Sequence, residues 1–384
     1  MSRKRPVVGI LGGGQLARML VLSGLPLGIR FQVVDGHADV CAAQVAPVTA
    51  SAWDDHEALG ALADAVDVVT FDFENVPADA ARWLASRTRV APNADALAVA
   101  QDRLAEKTTF HAIGLPTADF RAVDTRADLD RALAEMGAPA ILKTRRMGYD
   151  GKGQFRLRSA TDAEAAWAAL GKPAAQYGLI LESFVPFQRE VSVVAVRGRD
   201  GEFRAWPLTQ NWHVDGVLSM SLAPAPDAEA LTPKAFEHAR RLAEKLDYVG
   251  VFALELFVVD GELKGNEMAS RVHNSGHWSV DGAVTSQFEN HVRAVLGLPL
   301  GDTSARCPSA MFNWVGELPN VDAFLKVPGA HWHDYGKDPR PGRKVGHATV
   351  CAPDLTTLHE RVAAVTTVLG RQEQAAPVLA ALVG

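Results

Sequence analysis

Residues 248–278 read YVGVFALELFVVDGELKGNEMASRVHNSGHW, and the interpretation of this stretch decides the fold. The run 251–259, VFALELFVV, is β-branched and aromatic and favours a strand, yet it carries one carboxylate, Glu255, in its middle. A charge at the centre of a buried strand requires a compensating cation. A second acid, Glu267, follows Asp260-Gly261, which is a hairpin signal. A three-residue loop, Asp260-Gly261-Glu262, pairs Val259 with Leu263 and sets Glu255 opposite Glu267. A two-residue loop sets Glu255 against Asn266 instead. Opposed carboxylates destabilise a sheet unless a cation lies between them, and hard oxygen ligands suit a divalent ion such as Mg²⁺ carried with a nucleotide. In the other register one acid is hydrogen-bonded within the sheet and the other lies in solvent. The hairpin alone leaves both registers open.

The 384 residues imply two or three domains and a large core. Hydrophobic content of 48% and charged content of 22% are those of a soluble globular protein, with no apolar run long enough to span a bilayer. The N-terminal MSRKRPVVGILGGG places basic residues before an apolar stretch, but glycines, Gln15 and Arg18 interrupt it too early for a secretory signal. Three cysteines, Cys41, Cys307 and Cys351, are too few and too scattered for a disulfide framework or a cysteine zinc site, and a reducing cytoplasm is expected. A net charge of -6 argues against general nucleic-acid binding, while local basic clusters can still hold small anions.

Taken in order, VVGIL, GGGQLARMLVLSGLPLG and FQVVD predict a β-α-β unit. Gly12, Gly14 and Ala17, with Asp35 beyond, satisfy a loose dinucleotide fingerprint. The physical content is a glycine turn whose amides, at the start of a helix, attract a phosphate, and a tight turn without a ligand is an equal alternative. The segment 67–76, DVVTFDFENV, adds a strand that presents Glu74 where ligands of open α/β sheets collect. Residues 95–113 have helical spacing and stop at Gly114-Leu115-Pro116. APAILKTRRMGYDGKGQFRLRS then predicts strand, glycine loop, strand. With no helix after the glycines and Gln154 where Ser or Thr would be needed, a P-loop is excluded and a mobile flap is expected. Its amides and Lys152 can cover phosphates, with Lys143, Arg145 and Arg146 at its base. An ordinary flexible hairpin with a solvated basic base is the alternative.

Further strands are expected at LILESFVPF and REVSVVAVRG, and helices at 229–246, at SQFENHVRAVLGLPL and, last, around LTTLHERVAAVTTVLG. His331 and His333 are two histidines without further ligands and are assigned to a loop. Lys337, Arg340, Arg343 and Lys344 form a basic segment stiffened by Pro339 and Pro341, suited to a phosphate.

A glycine flap, a lysine on the strand before it, an acid-bearing linker strand and two acids on a later hairpin together resemble the ATP-grasp ligases. Within that superfamily, QDRLAEK, LKTRRMGYDGKGQ, GNEMASRVHNSGHW and YGKDPRPGRKVGH are similar to the N5-carboxyaminoimidazole ribonucleotide synthetase family, over nearly the whole chain. The resemblance implies mixed α/β and α+β architecture: an N-terminal Rossmann-like pre-ATP-grasp domain (1–94), a central ATP-grasp region with flap and metal hairpin (95–302), and a small C-terminal domain (303–384). It implies ATP contacts from Arg103, Lys143, Tyr149, Asp150, Gly151, Lys152, Gly153 and Gln154, from Glu182 and Val185 to the adenine, from Glu190 to the ribose, and from His213. It further implies Mg²⁺ on Glu255 and Glu267 with Asn266 beside them. Many ATP-grasp enzymes have asparagine two residues after the second acid, where this chain has Ala269.

Arg271, His273 and Asn274 are expected to cradle bicarbonate or carboxyphosphate, with Lys152 also in the catalytic set. Gln15, Leu16, Glu74, Asp150, Lys337, Arg343 and Lys344 are expected to bind aminoimidazole ribonucleotide. The implied activity is ATP- and bicarbonate-dependent carboxylation in purine biosynthesis, by a cytoplasmic homodimer whose partners are small molecules. Alternatives are another ATP-grasp ligase such as a formate-dependent glycinamide ribonucleotide transformylase, an NAD-dependent oxidoreductase using the glycine turn and Asp35, and a nucleotide-sensing module.

Overall fold

A computed structural model describes residues 5–148, 152–171 and 176–383. Among the described residues three sheets form. The first is a four-stranded parallel sheet in the order Val48–Ala50, Arg30–Asp35, Val7–Leu11, Val68–Phe71. Its buried, Val-rich strands and the helix Gln15–Gly24 are the expected β-α-β unit.

The second sheet is antiparallel, in the order Phe120–Val123, Leu179–Ser183, Ala140–Thr144, Gln154–Leu157. Lys143 lies opposite Gln154, so the chain leaves and re-enters this sheet at the base of the glycine flap. Tyr149, Asp150 and Gly151, assigned above to nucleotide and substrate, lie outside the described residues.

The third sheet has nine strands and organises the molecule. Gly250–Val259 sits between Glu262–Ala269 and Arg189–Arg197. The sheet continues through Thr209–Val214 and Val217–Ala223 into Ser309–Val315, Lys344–Cys351 and Ala330–Asp334. Met220 pairs with Phe312, so backbone hydrogen bonds carry the sheet across residue 303. Phe312, Trp314, Val362 and Val378 pack the helices Leu355–Leu369 and Gln372–Val383 against it. Each such buried aromatic or branched side chain is worth roughly 1.5–3 kcal/mol.

Three expectations are corrected, and one left open is settled. The helix over 95–113 is two helices, Ala94–Ala100 and Arg103–Ala112, because Asp102 caps the second by accepting from Leu104 N at 3.0 Å and Ala105 N at 3.3 Å. His331 and His333 lie on a strand, paired with Thr349 and His347. The last helix is Gln372–Val383, beyond the one expected to end the chain. The hairpin loop is the alternative left open. Val259 pairs with Glu262, not Leu263, because Asp260 and Gly261 form a two-residue turn at φ 50° and 79°.

Candidate active site

The short loop should have set Glu255 against Asn266, yet Glu255 lies opposite Glu267. Leu256 faces Gly265 and the register shifts beyond it, so Asn266 is an extra residue, a bulge that brings the two acids level. Two close contacts hold the bulge. A Cβ on Gly265 would meet Leu115 at 2.8 Å and Phe110 at 2.9 Å, so glycine is required for the strand to approach the 103–112 helix. Lys107, almost fully enclosed, donates from Nζ to Asn266 O at 2.8 Å.

The opposed acids have protein cations and donors at hand. Arg103 Nη1 donates to Glu267 Oε2 at 3.0 Å, and Arg103 Nη2 to Gly148 O at 3.2 Å, which joins the acid-bearing hairpin to the flap base. His273 Nε2 lies 3.0 Å from Glu255 Oε1. The amide of Ser275 donates to His273 Nδ1 at 3.3 Å, so the ring proton is on Nε2 and points at Glu255. Burial alone would push the Glu255 carboxyl up, but His273, with His213 and Lys344 also near, holds it below the ordinary range. Two carboxylates beside an asparagine are hard oxygen donors, which fits Mg²⁺. Ala269 is buried and supplies no ligand.

Glu255 and Glu267 line one cleft of about 1160 Å³ together with Gln15, Leu16 and Glu74 from the N-terminal part and Lys337, Arg343 and Lys344 from the C-terminal part. Arg103, Arg271, His273 and Asn274 also line it. Arg271 Nη2 reaches Glu74 Oε2 at 3.0 Å, and Lys337 Nζ donates to Gln15 Oε1 at 2.6 Å, so all three parts meet there. Asn274 is less available than expected, because its side-chain amide is paired reciprocally with that of Asn313 at 3.0 and 2.7 Å.

The glycine turn also differs in detail. Asp72, missed in the sequence, accepts from Gly14 N at 2.8 Å and Ala17 N at 2.7 Å and so occupies part of the helix N-terminus. Asp35 accepts from Gly13 N at 2.7 Å and His37 N at 3.0 Å. A dinucleotide reading needs Asp35 for a ribose, and here the carboxylate is engaged by its own turn. The amides of Gln15 and Leu16 bond to no described residue, which leaves them for an anion. Asp72 stands two residues before Glu74 at the end of a buried strand, which was the available signal.

A second group lies outside that cleft's lining. Glu182, only 4% exposed, accepts from Lys143 Nζ at 2.9 Å and lies 3.5 Å from Lys107 Nζ. Burial opposes its ionisation, but the two lysines prevail and hold it at about 2. Its other oxygen, Oε1, is buried with no hydrogen-bond partner. The Val185 amide is bonded to no described residue. His213 pairs with Glu190, which holds the imidazole proton against the pull of burial and pushes its pKa up. Lys152 is exposed, Gly153 has φ 71°, and Gly153 O accepts from Thr144 N at 2.8 Å. Arg145, which lines the cleft, and Arg146 both reach Asp102, at 2.8 and 3.4 Å. His331 and His333 address Asp281 at 3.6 and 2.9 Å, and among the described residues no group of three or more His, Cys, Asp or Glu side chains forms that could hold a metal ion. Among those residues no helix is long and apolar enough to cross a membrane.

The sequence matches the ribonucleotide synthetase preATP-grasp domain over 6–101, the ATP-grasp domain over 108–288 and the phosphoribosylaminoimidazole carboxylase C-terminal domain over 309–361. It is 50% identical over 358 residues to the N5-carboxyaminoimidazole ribonucleotide synthase of Pseudomonas aeruginosa, covering 93% of this chain and 98% of that one. The crystal structure of N5-carboxyaminoimidazole ribonucleotide synthetase from Thermus thermophilus superposes with a TM-score of 0.90 at 53% identity, covering 94% of this chain and 98% of that one. The Aspergillus clavatus enzyme in complex with ADP and 5-aminoimidazole ribonucleotide superposes with a TM-score of 0.87 at 32% identity, covering 96% and 99%. A Rossmann-like part, a nine-stranded sheet carrying two opposed acids and a basic C-terminal loop closing one cleft agree with these likenesses, and the chain belongs to the N5-carboxyaminoimidazole ribonucleotide synthase family of ATP-grasp ligases.

Proposed function

We propose that the family's reaction, ATP-dependent carboxylation of 5-aminoimidazole ribonucleotide in purine biosynthesis, runs in this chain at the junction of three working parts: substrate binding by 1–94, nucleotide and metal binding by 95–302, and closure of the site by 303–384. The single observation that carries the residue assignment is the bulged register that sets Glu255 opposite Glu267 in a cleft shared with the Gln15 turn and the Lys337–Lys344 loop.

The adenine amine donates to the unpartnered Glu182 Oε1, and the Val185 amide donates to the ring. Glu190, with His213 against it, takes the ribose hydroxyls. Arg103, Lys143, Lys152, Gly153 and Gln154 line the phosphate side, to which we also assign Tyr149, Asp150 and Gly151. Glu255 and Glu267, with Asn266, would hold Mg²⁺, which when bound supplies neutralisation of phosphate charge.

Bicarbonate, oriented by Arg271 and His273, attacks the γ-phosphorus of ATP through one oxygen. The bond to the bridging oxygen breaks, and carboxyphosphate and ADP result. The ribonucleotide's exocyclic amine then captures the carboxyl, directly or as released CO₂, with loss of a proton and of inorganic phosphate. The amides of Gln15 and Leu16 with Lys337, Arg343 and Lys344 take the ribonucleotide phosphate, and Glu74, with Asp150, meets the ribose or ring. No nucleophilic side chain is required.

A cytoplasmic homodimer is proposed on the family resemblance, and sedimentation of the purified chain tests its oligomeric state. For the reaction, ADP release is measured with bicarbonate and aminoimidazole ribonucleotide omitted in turn. Dependence on both supports the reading. ADP release that responds to formate and not to bicarbonate points to the transformylase alternative.

A further inference from the structure

Gln287 is a buried amide whose orientation the backbone dictates. His273 N donates to Gln287 Oε1 at 2.8 Å, and Gln287 Nε2 donates to His273 O at 2.6 Å. A backbone N–H cannot accept and a carbonyl cannot donate, so the amide has one orientation. The same Nε2 lies 3.0 Å from His277 Nδ1 and therefore donates to it. A ring nitrogen that accepts carries no proton, so neutral His277 has its proton on Nε2.

That Nε2–H is bonded to no described residue, yet it is not among the side-chain atoms that are both buried and unpartnered. His277 as a whole is 1% exposed and lines the cleft. One edge of an otherwise enclosed imidazole thus reaches the cavity, and it is the edge that carries the proton. The ring is backed by Phe288 and His347, whose centroids lie 5.4 and 4.8 Å away. One side chain, Gln287, thus bonds both the His273 backbone and the His277 ring.

We propose that His277 is a substrate-contacting residue of this reaction, whose Nε2–H donates a hydrogen bond to an oxygen of the bicarbonate or carboxyphosphate group. This rests on the reading that places that group at Arg271 and His273. Burial first, then the cations Lys344 and Arg271 near it, keep His277 uncharged. A neutral donor suits the place: it stabilises negative charge on oxygen without a further cation among those already present. In this tautomer Nε2 cannot take the amine proton, so the role is donation and not general base catalysis.

The test compares His277→Phe, which keeps a ring and removes the N–H, with His277→Gln, which restores an N–H donor. ADP release is measured against bicarbonate and, separately, against ATP. The expected result for His277→Phe is a kcat/KM for bicarbonate lower by roughly ten- to a hundredfold, the scale of a lost hydrogen bond to a charged group, with the KM for ATP within about twofold. His277→Gln should recover most of the loss. Unchanged bicarbonate kcat/KM in the Phe variant overturns the proposal. So does equal impairment of both variants with a parallel rise in the KM for ATP, which is the signature of a packing role. Should His277→Phe fail to fold, His277→Leu against His277→Gln gives the same comparison. Bicarbonate-independent ADP release by the parent enzyme would refute the reading of the site itself, a separable outcome.

Discussion

Lys337 Nζ and Gln15 Oε1 are joined by a 2.6 Å hydrogen bond between side chains 322 positions apart in the chain. It ties the basic C-terminal loop to the first helix's N-terminus, where the amides of Gln15 and Leu16 are available to an anion. On the proposed reading the two elements form opposite walls of one phosphate pocket. Lys344→Ala is expected to raise the KM for aminoimidazole ribonucleotide about tenfold or more, the effect of losing a charged hydrogen bond worth roughly 1.5 kcal/mol. The KM for ATP should barely move. Steady-state kinetics with each substrate varied in turn checks this, and a selective loss of ATP affinity would mean that the two sites are exchanged.

Glu267→Gln is expected to abolish ATP turnover with the fold intact. The bulge that places Glu267 opposite Glu255 is built from backbone contacts of Gly265 and Asn266, which the substitution leaves in place. What is lost is a carboxylate oxygen of the proposed metal site. Glu255→Gln should be impaired as well. Titrating Mg²⁺ to saturation in an ADP-release assay is the check, and near-normal rates would remove the hairpin from the metal site.

Asp72→Ala removes the acceptor for two amides, Gly14 N and Ala17 N, at the start of the first helix. Loss of a cap that also satisfies enclosed donors should cost about 1–3 kcal/mol by urea unfolding. The loosened turn should weaken binding of the ribonucleotide and leave that of ATP unchanged. An unaltered unfolding midpoint would show that water replaces the carboxylate without penalty.

His291 gives the stability a defined pH dependence. Val251 N donates to its Nδ1 at 3.0 Å, and its Nε2 contacts Thr70 Oγ1 at 2.7 Å, so the ring is neutral and links the N-terminal sheet to the acid-bearing strand. Burial pushes its pKa down from 6.5 to about 4. The unfolded chain takes the proton first, so the contribution is complete above pH 6.5 and is lost as the pH falls towards 4. That gap corresponds to roughly 3 kcal/mol. Urea unfolding at neutral pH and near pH 5 should show the decline, and His291→Gln should flatten it.

The parts of the molecule that were legible in the sequence are those governed by local rules. The β-α-β unit, the glycine flap between paired strands and the strand–turn–strand around Asp260-Gly261 follow from periodicity and turn chemistry. The hairpin register was half legible. The turn type decides the loop, but the bulge at Asn266 depends on Leu115, Phe110 and Lys107, which tertiary packing brings from elsewhere. Asp72 escaped notice because its role is set by a helix 55 residues earlier. The break at Asp102 is visible only with Arg145 and Arg146 in place, since capping competes with a continuous helical pattern. His331 and His333 belong to a strand because His347 and Thr349 pair with them, a long-range choice that their spacing does not encode.

The central claim is that bicarbonate is phosphorylated in the cleft built around Glu255, Glu267 and Arg271. An oxygen of bicarbonate that attacks the γ-phosphorus of ATP stays on phosphorus when the carboxyl group leaves for the amine. The most direct measurement is therefore turnover with freshly dissolved ¹⁸O-labelled bicarbonate, followed by mass analysis of the inorganic phosphate. The account predicts one ¹⁸O in each phosphate formed by the enzyme. Phosphate without label, formed at the same rate as ADP, would contradict it.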